Sequence, residues 1–301
     1  MTAQTTLQQA MPHQAPPHQA PPHQAMIDEW YPVGLVSQLD RSGRHTALMG
    51  EPIVVSGDDA GNPLVTGGNG RILPVKVRYG HVWSSLGTPT KDIFSIPEAD
   101  QPGRRFVDVG VVRVRCSPLR AVENFLDIAH FPFVHTDVLG AEPHTEVQNY
   151  TAEIRADVDE VWATQVKFYQ PQASKSASGG ITTEYMYRVP APTCSVLYKT
   201  CPPRPSEWDV ITLFVQPLAE DLCDVWPWMA LFDDETSMTD LIHFQQMIFL
   251  QDRSILENQI PRLLPLDPGM EIPTRADLTS IAYRRWLKRH DYTYGAQLVA
   301  R

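Results

Sequence analysis

From residue 46 onward, apolar and polar positions alternate with a period of two over many short stretches. Thr46 to Leu48, Ile53 to Val55, Leu64-Val65, Ile72 to Val77 and His81 to Trp83 read as short strands, punctuated by turn signals at Asp58-Asp59-Ala60-Gly61-Asn62 and Thr66-Gly67-Gly68-Asn69-Gly70. Phe106 to Arg115 alternates as one strand. Longer runs follow at Tyr150 to Val158, Glu160 to Phe168, Thr182 to Val189, Ser195 to Thr200, Asp209 to Val215 and Cys223 to Leu231. Many strands, few crossover helices and proline-rich turns predict an antiparallel sheet in an α+β chain.

The period changes to that of a helix in three places. Ser117-Pro118 offers a capping hydroxyl followed by a proline whose missing N–H costs nothing at the first helical position, so a helix is predicted from about Pro118 to His130. At roughly 100° per residue, Glu123, Asp127 and His130 share one face beside an apolar stripe of Leu119, Val122, Leu126 and Ala129. Pro132 is expected to stop it. A long helix capped by Thr236 or Ser237 runs to about Gln259 before Pro261, with Leu241, Gln245, Ile248, Asp252, Ile255 and Gln259 on one face. A closing helix is expected over Ala282 to Lys288.

The chain has 301 residues, of which 43% are apolar and 20% charged, enough for a sizeable core and one or two domains. A net charge of −10 without a basic stripe argues against a nucleic-acid partner. The four cysteines, at 116, 194, 201 and 223, form no C-x-x-C pair, which fits a reducing cytoplasm. No apolar run is long enough to cross a bilayer, so no membrane association is expected. Residues 1–25 end in repeats of PHQA and PPHQA and read as a disordered tail.

Candidate chemistry gathers around Asn124, Asp127, His130 and His135. Two histidines five apart are by themselves commonly core or surface residues. Here a turn after His130 lets His135 swing back toward it. Asp127, three residues before His130, is placed to accept that ring's second N–H, as partners of metal-bound imidazoles do. Asp252 is an acid on a mainly apolar helix face, and by residue type alone it is equally a salt-bridge partner or a metal ligand. Gln245, Gln259 and Asn124 offer amides to a polar heterocycle or to backbone groups. Ile248, Phe249 and Leu256 offer apolar surface to a pocket or to the core.

The string from Asn124 to His135 resembles the iron-site segment of the Rieske non-heme iron oxygenases, N-x-x-D-x-x-H-x-x-x-x-H. The similarity extends from about Met26 to Gln297. It implies a helix-grip catalytic domain over 104–301, a curved antiparallel sheet around a long C-terminal helix, preceded by a truncated Rieske-like β domain over 26–103. It also implies mononuclear Fe(II) held by His130, His135 and a carboxylate in the Q-D-x-x-I-x-E stretch, which is Asp252 with Glu257 as the fallback. Asp127 would bridge electrons to the iron. The family binds its Rieske cluster with C-x-H and C-x-x-H loops. Thr66 to Gly70 takes their place, and no cysteine precedes Cys116, so no iron–sulfur cluster is expected in this chain. Electrons from NAD(P)H must then come through a Rieske-containing reductase or oxygenase subunit, in a hetero-oligomer of trimeric type docked near Asp127.

Within the family the chain is most similar to the bacterial methylxanthine N-demethylases, the 7-methylxanthine type in particular. The implied reaction uses O2 to hydroxylate an N-methyl group, which leaves as formaldehyde. An O-demethylase or ring hydroxylase of an aromatic substrate, a non-catalytic structural subunit and a metal-free binding module stay open at this stage.

Overall fold

The computed structural model describes residues 24–175 and 179–298. A turn of helix, α1 (Gln24–Ile27), precedes six strands: β1 (Tyr31–Leu35), β2 (Arg44–Leu48), β3 (Glu51–Gly57), β4 (Pro63–Gly67), β5 (Val75–Arg78) and β6 (His81–Ser84). Gln24 and Ala25, assigned to the tail by composition, belong to α1; the rest of that tail lies outside the described residues. The six strands make two three-stranded antiparallel sheets, ordered β1-β6-β5 and β2-β3-β4. The β3–β4 turn is built by Asp58, whose Oδ1 accepts the N–H groups of Ala60 (2.9 Å) and Asn62 (2.8 Å), with Gly61 at φ +81°.

The second half is one eight-stranded antiparallel sheet. It uses β7 (Arg105–Asp108), β8 (Val112–Val114), β9 (Thr151–Arg155), β10 (Glu160–Gln170), β11 (Ile181–Ala191), β12 (Cys194–Thr200), β13 (Trp208–Ala219) and β14 (Leu222–Leu231). The order is β7-β14-β13-β12-β11-β10-β9, with β8 also paired to β14. The expected single strand over Phe106–Arg115 is thus two. Between Asp108↔Trp228 and Val112↔Val225, three residues face two, and Gly110 takes φ +92°. Pro227 lies opposite this bulge and has no N–H with which to continue the ladder.

The other α-helices of the described residues are α2 (Pro118–Leu126), α3 (Phe131–Val134), α4 (Met238–Leu256) and α5 (Leu278–Arg289), and a short parallel pair, Leu264–Pro265 with Ala296–Gln297, lies outside the large sheet. Leu119, Val122 and Leu126 of α2 share one core with Leu213, Val215, Cys223 and Val225 on one face of the sheet. Val210, Phe214, Trp226 and Trp228 on the other face pack against Trp30, Trp83 and Ile96 from the N-terminal part. With both faces covered, β13 and β14 are buried almost throughout, as buried strands require. On the α2 side, α5 rests on β9 and β10 while α4 leans on α2 and β7.

The long helix starts where expected, at the Ser237 cap, whose hydroxyl accepts the Asp240 N–H at 3.1 Å. It ends at Leu256 instead of Gln259. Its buried face holds Leu241, Gln245, Ile248, Phe249, Asp252 and Leu256. Contact with α2 turns that face toward Phe249 and Leu256, so Ile255, expected on the stripe, stays 47% exposed.

Candidate metal centre

Asp127 decides the path of the chain into the centre. Ser117 caps α2 by accepting the Leu119 N–H at 3.1 Å, and the helix was expected to reach His130. It stops at Leu126. Asp127 is extended (ψ 130°), and its Oδ1 accepts the Ala129 N–H at 2.8 Å, a local bond that competes with the helical one. Pro132 does not act as the stop; it sits in the first turn of α3, where its missing N–H is costless. Glu123 therefore does not share a face with His130. It is buried in an ion cluster instead, bonded to Arg120 (2.9 Å) and Arg284 (2.6 Å).

The reversal at Asp127 and α3 brings the two imidazoles together. His130 Nε2 and His135 Nε2 are 3.2 Å apart. Asp252 Oδ1 from α4 lies 3.2 Å from the first and 3.0 Å from the second. Asn124 donates from Nδ2 to that same oxygen at 3.1 Å. On their far sides, His130 Nδ1 donates to Asp127 Oδ2 (2.9 Å) and His135 Nδ1 donates to Gln251 Oε1 (2.8 Å). Gly140 keeps the following loop against this segment, since a Cβ there would meet the Pro132 nitrogen at 2.7 Å.

These outer bonds set the protonation of the rings. Each Nδ1 faces an oxygen acceptor and carries the proton, so each neutral ring presents an Nε2 lone pair inward. Three electron-pair donors then converge with no hydrogen between them, which is unfavourable unless a cation occupies their centre. Without one, a proton is taken up: burial lowers His130, but hydrogen bonds to Asp127 and Asp252 outweigh it and hold it up at about 9. Burial likewise raises Asp252, and the bonds from His130 and His135 overcome it and bring it down to about 2.

The donor set fits a metal ion. Three ligands each about 2.1 Å from one ion and at right angles would lie about 3 Å apart. The edges here are 3.0, 3.2 and 3.2 Å. Two imidazoles and a carboxylate on one side, leaving other positions open, suit non-heme Fe(II).

The other sequence candidates fall in different places. Glu257 is away from the centre, with its Oε1 accepting the Arg115 N–H (3.1 Å) and facing Arg253 Nε (3.1 Å). Gln245, Ile248, Phe249 and Leu256 lie on the buried face of α4 with Asp252, where Phe249 and Leu256 are core residues. The Gln245 side chain has no hydrogen-bond partner among the described residues. Gln259 is past the end of α4 and, with Asn124, Asp127 and His130, lines a cavity of about 670 Å3 beside the centre. Gln251 was not foreseen. Its only signal was its position beside Asp252, which does not say which way the side chain turns.

A mononuclear non-heme iron oxygenase is the class of protein that this fold and donor set suit. The chain belongs to the Rieske-type oxygenase family of the vanillate O-demethylase oxygenase C-terminal domain, which matches residues 114–290. It is 44% identical over 272 residues, 90% of this chain and 96% of the relative, to the probable methylxanthine N7-demethylase NdmC of Pseudomonas sp. (strain TJI-51). To the methylxanthine N1-demethylase NdmA of Pseudomonas putida it is 25% identical over 70% of this chain and 58% of that one. Two solved structures share the fold. One is Pseudomonas putida CBB5 NdmA with caffeine (TM-score 0.70, 18% identity, 88% of this chain and 90% of that one). The other is dicamba monooxygenase bound to 3,6-dichlorosalicylic acid (TM-score 0.69, 15%, 89% and 98%). Membership of this family implies non-heme iron, O2 and NAD(P)H-derived electrons supplied through a partner. Among the described residues, no helix is long and apolar enough to cross a membrane.

Proposed function

We propose that this chain is the catalytic subunit of a methylxanthine N-demethylase acting on 7-methylxanthine, with Fe(II) held by His130, His135 and Asp252. The observation that carries this reading is the convergence of His130 Nε2, His135 Nε2 and Asp252 Oδ1 at 3.0 to 3.2 Å. The high identity to a probable methylxanthine N7-demethylase supports the choice of substrate. Bound Fe(II) would activate O2 for insertion of one oxygen atom into a substrate C–H bond, with two electrons and two protons reducing the other atom to water. Hydroxylation of the N-methyl group gives N–CH2OH; the C–N bond then breaks, the nitrogen regains a proton and formaldehyde leaves.

The chain's own residues divide this work. Asp127 keeps the proton on His130 Nδ1; its side chain is 29% exposed at the 670 Å3 cavity, between the centre and the surface where electrons would arrive. Asn124 holds Asp252 against the two imidazoles. The unpartnered Gln245 amide offers both a donor and an acceptor to a heterocycle rich in carbonyls and ring nitrogens. Ile248, Phe249 and Leu256 would flank the rings, and Gln259 borders the outer cavity.

Residues 26–103 are read as a Rieske-like remnant without a cluster, and 104–301 as the catalytic domain. The first cysteine is Cys116, and all four cysteines are buried. A Rieske-containing reductase or oxygenase subunit would therefore deliver electrons near Asp127, within a cytoplasmic hetero-oligomer of trimeric type. The test is metal analysis of the anaerobically purified chain, then turnover with a Rieske reductase. About one iron per chain, no iron–sulfur absorption and one formaldehyde per 7-methylxanthine consumed are expected. No iron after anaerobic reconstitution would overturn the reading.

A further inference from the structure

We infer that Gln251 is a positioning residue of the centre: its amide oxygen fixes His135 in the Nδ1–H tautomer, so that Nε2 stays free to ligate. This rests on the metal reading above and deepens it. His135 is 1% exposed, so its Nδ1–H cannot turn to water, and Gln251 Oε1 at 2.8 Å is the acceptor it has among the described residues. The Gln251 backbone carbonyl accepts the Ser254 hydroxyl (2.8 Å), which pins the turn of α4 that carries both Gln251 and Asp252. One rigid turn thus supplies a ligand to the ion and, from the next residue, the orienting partner of a second ligand. Neighbouring helix positions point about 100° apart, which lets Asp252 face the inner edge of His135 while Gln251 reaches its outer edge.

The two imidazoles are backed unequally. His130 donates to an anionic carboxylate and His135 to a neutral amide. A carboxylate partner pulls harder on the Nδ1 proton and makes the opposite nitrogen a stronger donor. His135 is therefore the weaker of the two nitrogen ligands, and Gln251 sets how much weaker. Leucine at 251 would leave the His135 Nδ1–H unpaired in a buried site, and the ring would escape by moving its proton to Nε2, which removes the lone pair.

Isothermal titration of the metal-free full chain with Co(II), for wild type, Gln251→Leu and Gln251→Glu, tests this assignment. Gln251→Leu should weaken Co(II) binding by about 10- to 100-fold. Gln251→Glu should bind at least as tightly as wild type, a gain that a merely space-filling residue would not produce. In parallel, 15N chemical shifts of the histidine rings in the metal-free proteins should show His135 protonated at Nδ1 in wild type and redistributed toward Nε2 in Gln251→Leu. Equal affinity of the Leu variant and wild type, or a Glu variant that binds more weakly than wild type, overturns the role. Wild type that takes up no Co(II) at all overturns the metal reading and this role together, whereas wild-type binding matched by the Leu variant overturns this role alone.

Discussion

Asp252 Oδ1 lies 3.0 Å from His135 Nε2 although 117 positions separate the two residues in the chain. One comes from a helix, the other from the turn that ends a second, and the contact between α2 and α4 brings them together. His130→Ala and Asp252→Ala should each take the metal content from about one ion per chain to nearly none, because two donors hold a divalent ion poorly in a site built for three. Circular dichroism should stay that of wild type. Iron retained in both variants would remove the triad.

Asp127→Asn keeps an oxygen acceptor for His130 but loses its charge. The variant should retain its iron, while electron transfer from a reduced Rieske partner slows by roughly tenfold or more. Stopped-flow decay of the partner's visible bands measures this. A wild-type rate would exclude Asp127 from the electron path.

A second group beside the cavity is structural. Arg120, 1% exposed, bonds Glu123 (2.9 Å), Glu271 (2.5 Å) and the Pro261 carbonyl (3.0 Å), and Arg284 closes the square to both glutamates. Arg120→Met leaves buried carboxylate charge short of a partner and should lower unfolding free energy by about 3–5 kcal/mol in urea titration. Glu271→Gln, at a more exposed corner, should cost less.

Lys199 is buried at the end of β12, where its ammonium donates to the Ala173 carbonyl. Burial brings it down to about 8, partly opposed by Asp209. The folded state thus binds this proton more weakly than the unfolded chain, whose lysine titrates near 10.4. The penalty is complete below pH 8 and disappears as pH rises toward the unfolded value. Relative to Lys199→Met, wild type should gain up to about 3 kcal/mol of stability between pH 8 and 10.5. A pH-independent difference between the two would contradict the burial of a charged amine.

Much of the architecture was legible in the chain itself. Strands β10 to β14 were readable because alternation and turn residues act between neighbours, and the Ser117 and Ser237 caps mark helix starts for the same reason. The pattern from Asn124 to His135 named the histidines and the resemblance named Asp252, and the structure brings one nitrogen of each ring and a carboxylate oxygen of Asp252 within 4.8 Å of one another.

Distant partners decided most of the rest, and at Asp127 a local side-chain bond did. Pro227 split the strand over Phe106–Arg115 from across the sheet. The Asp127 carboxylate ended α2 four residues early by taking the Ala129 N–H. Packing against α2 rotated α4 so that Ile255 faces outward and Gln251 reaches the back of His135. Periodicity gives the faces of a helix, but which side chain meets which ring is set by long-range packing. Local pattern is enough for the elements and for the kinds of donor; long-range packing puts two ring nitrogens and one carboxylate oxygen about 3 Å from one another and sets an amide behind the second histidine.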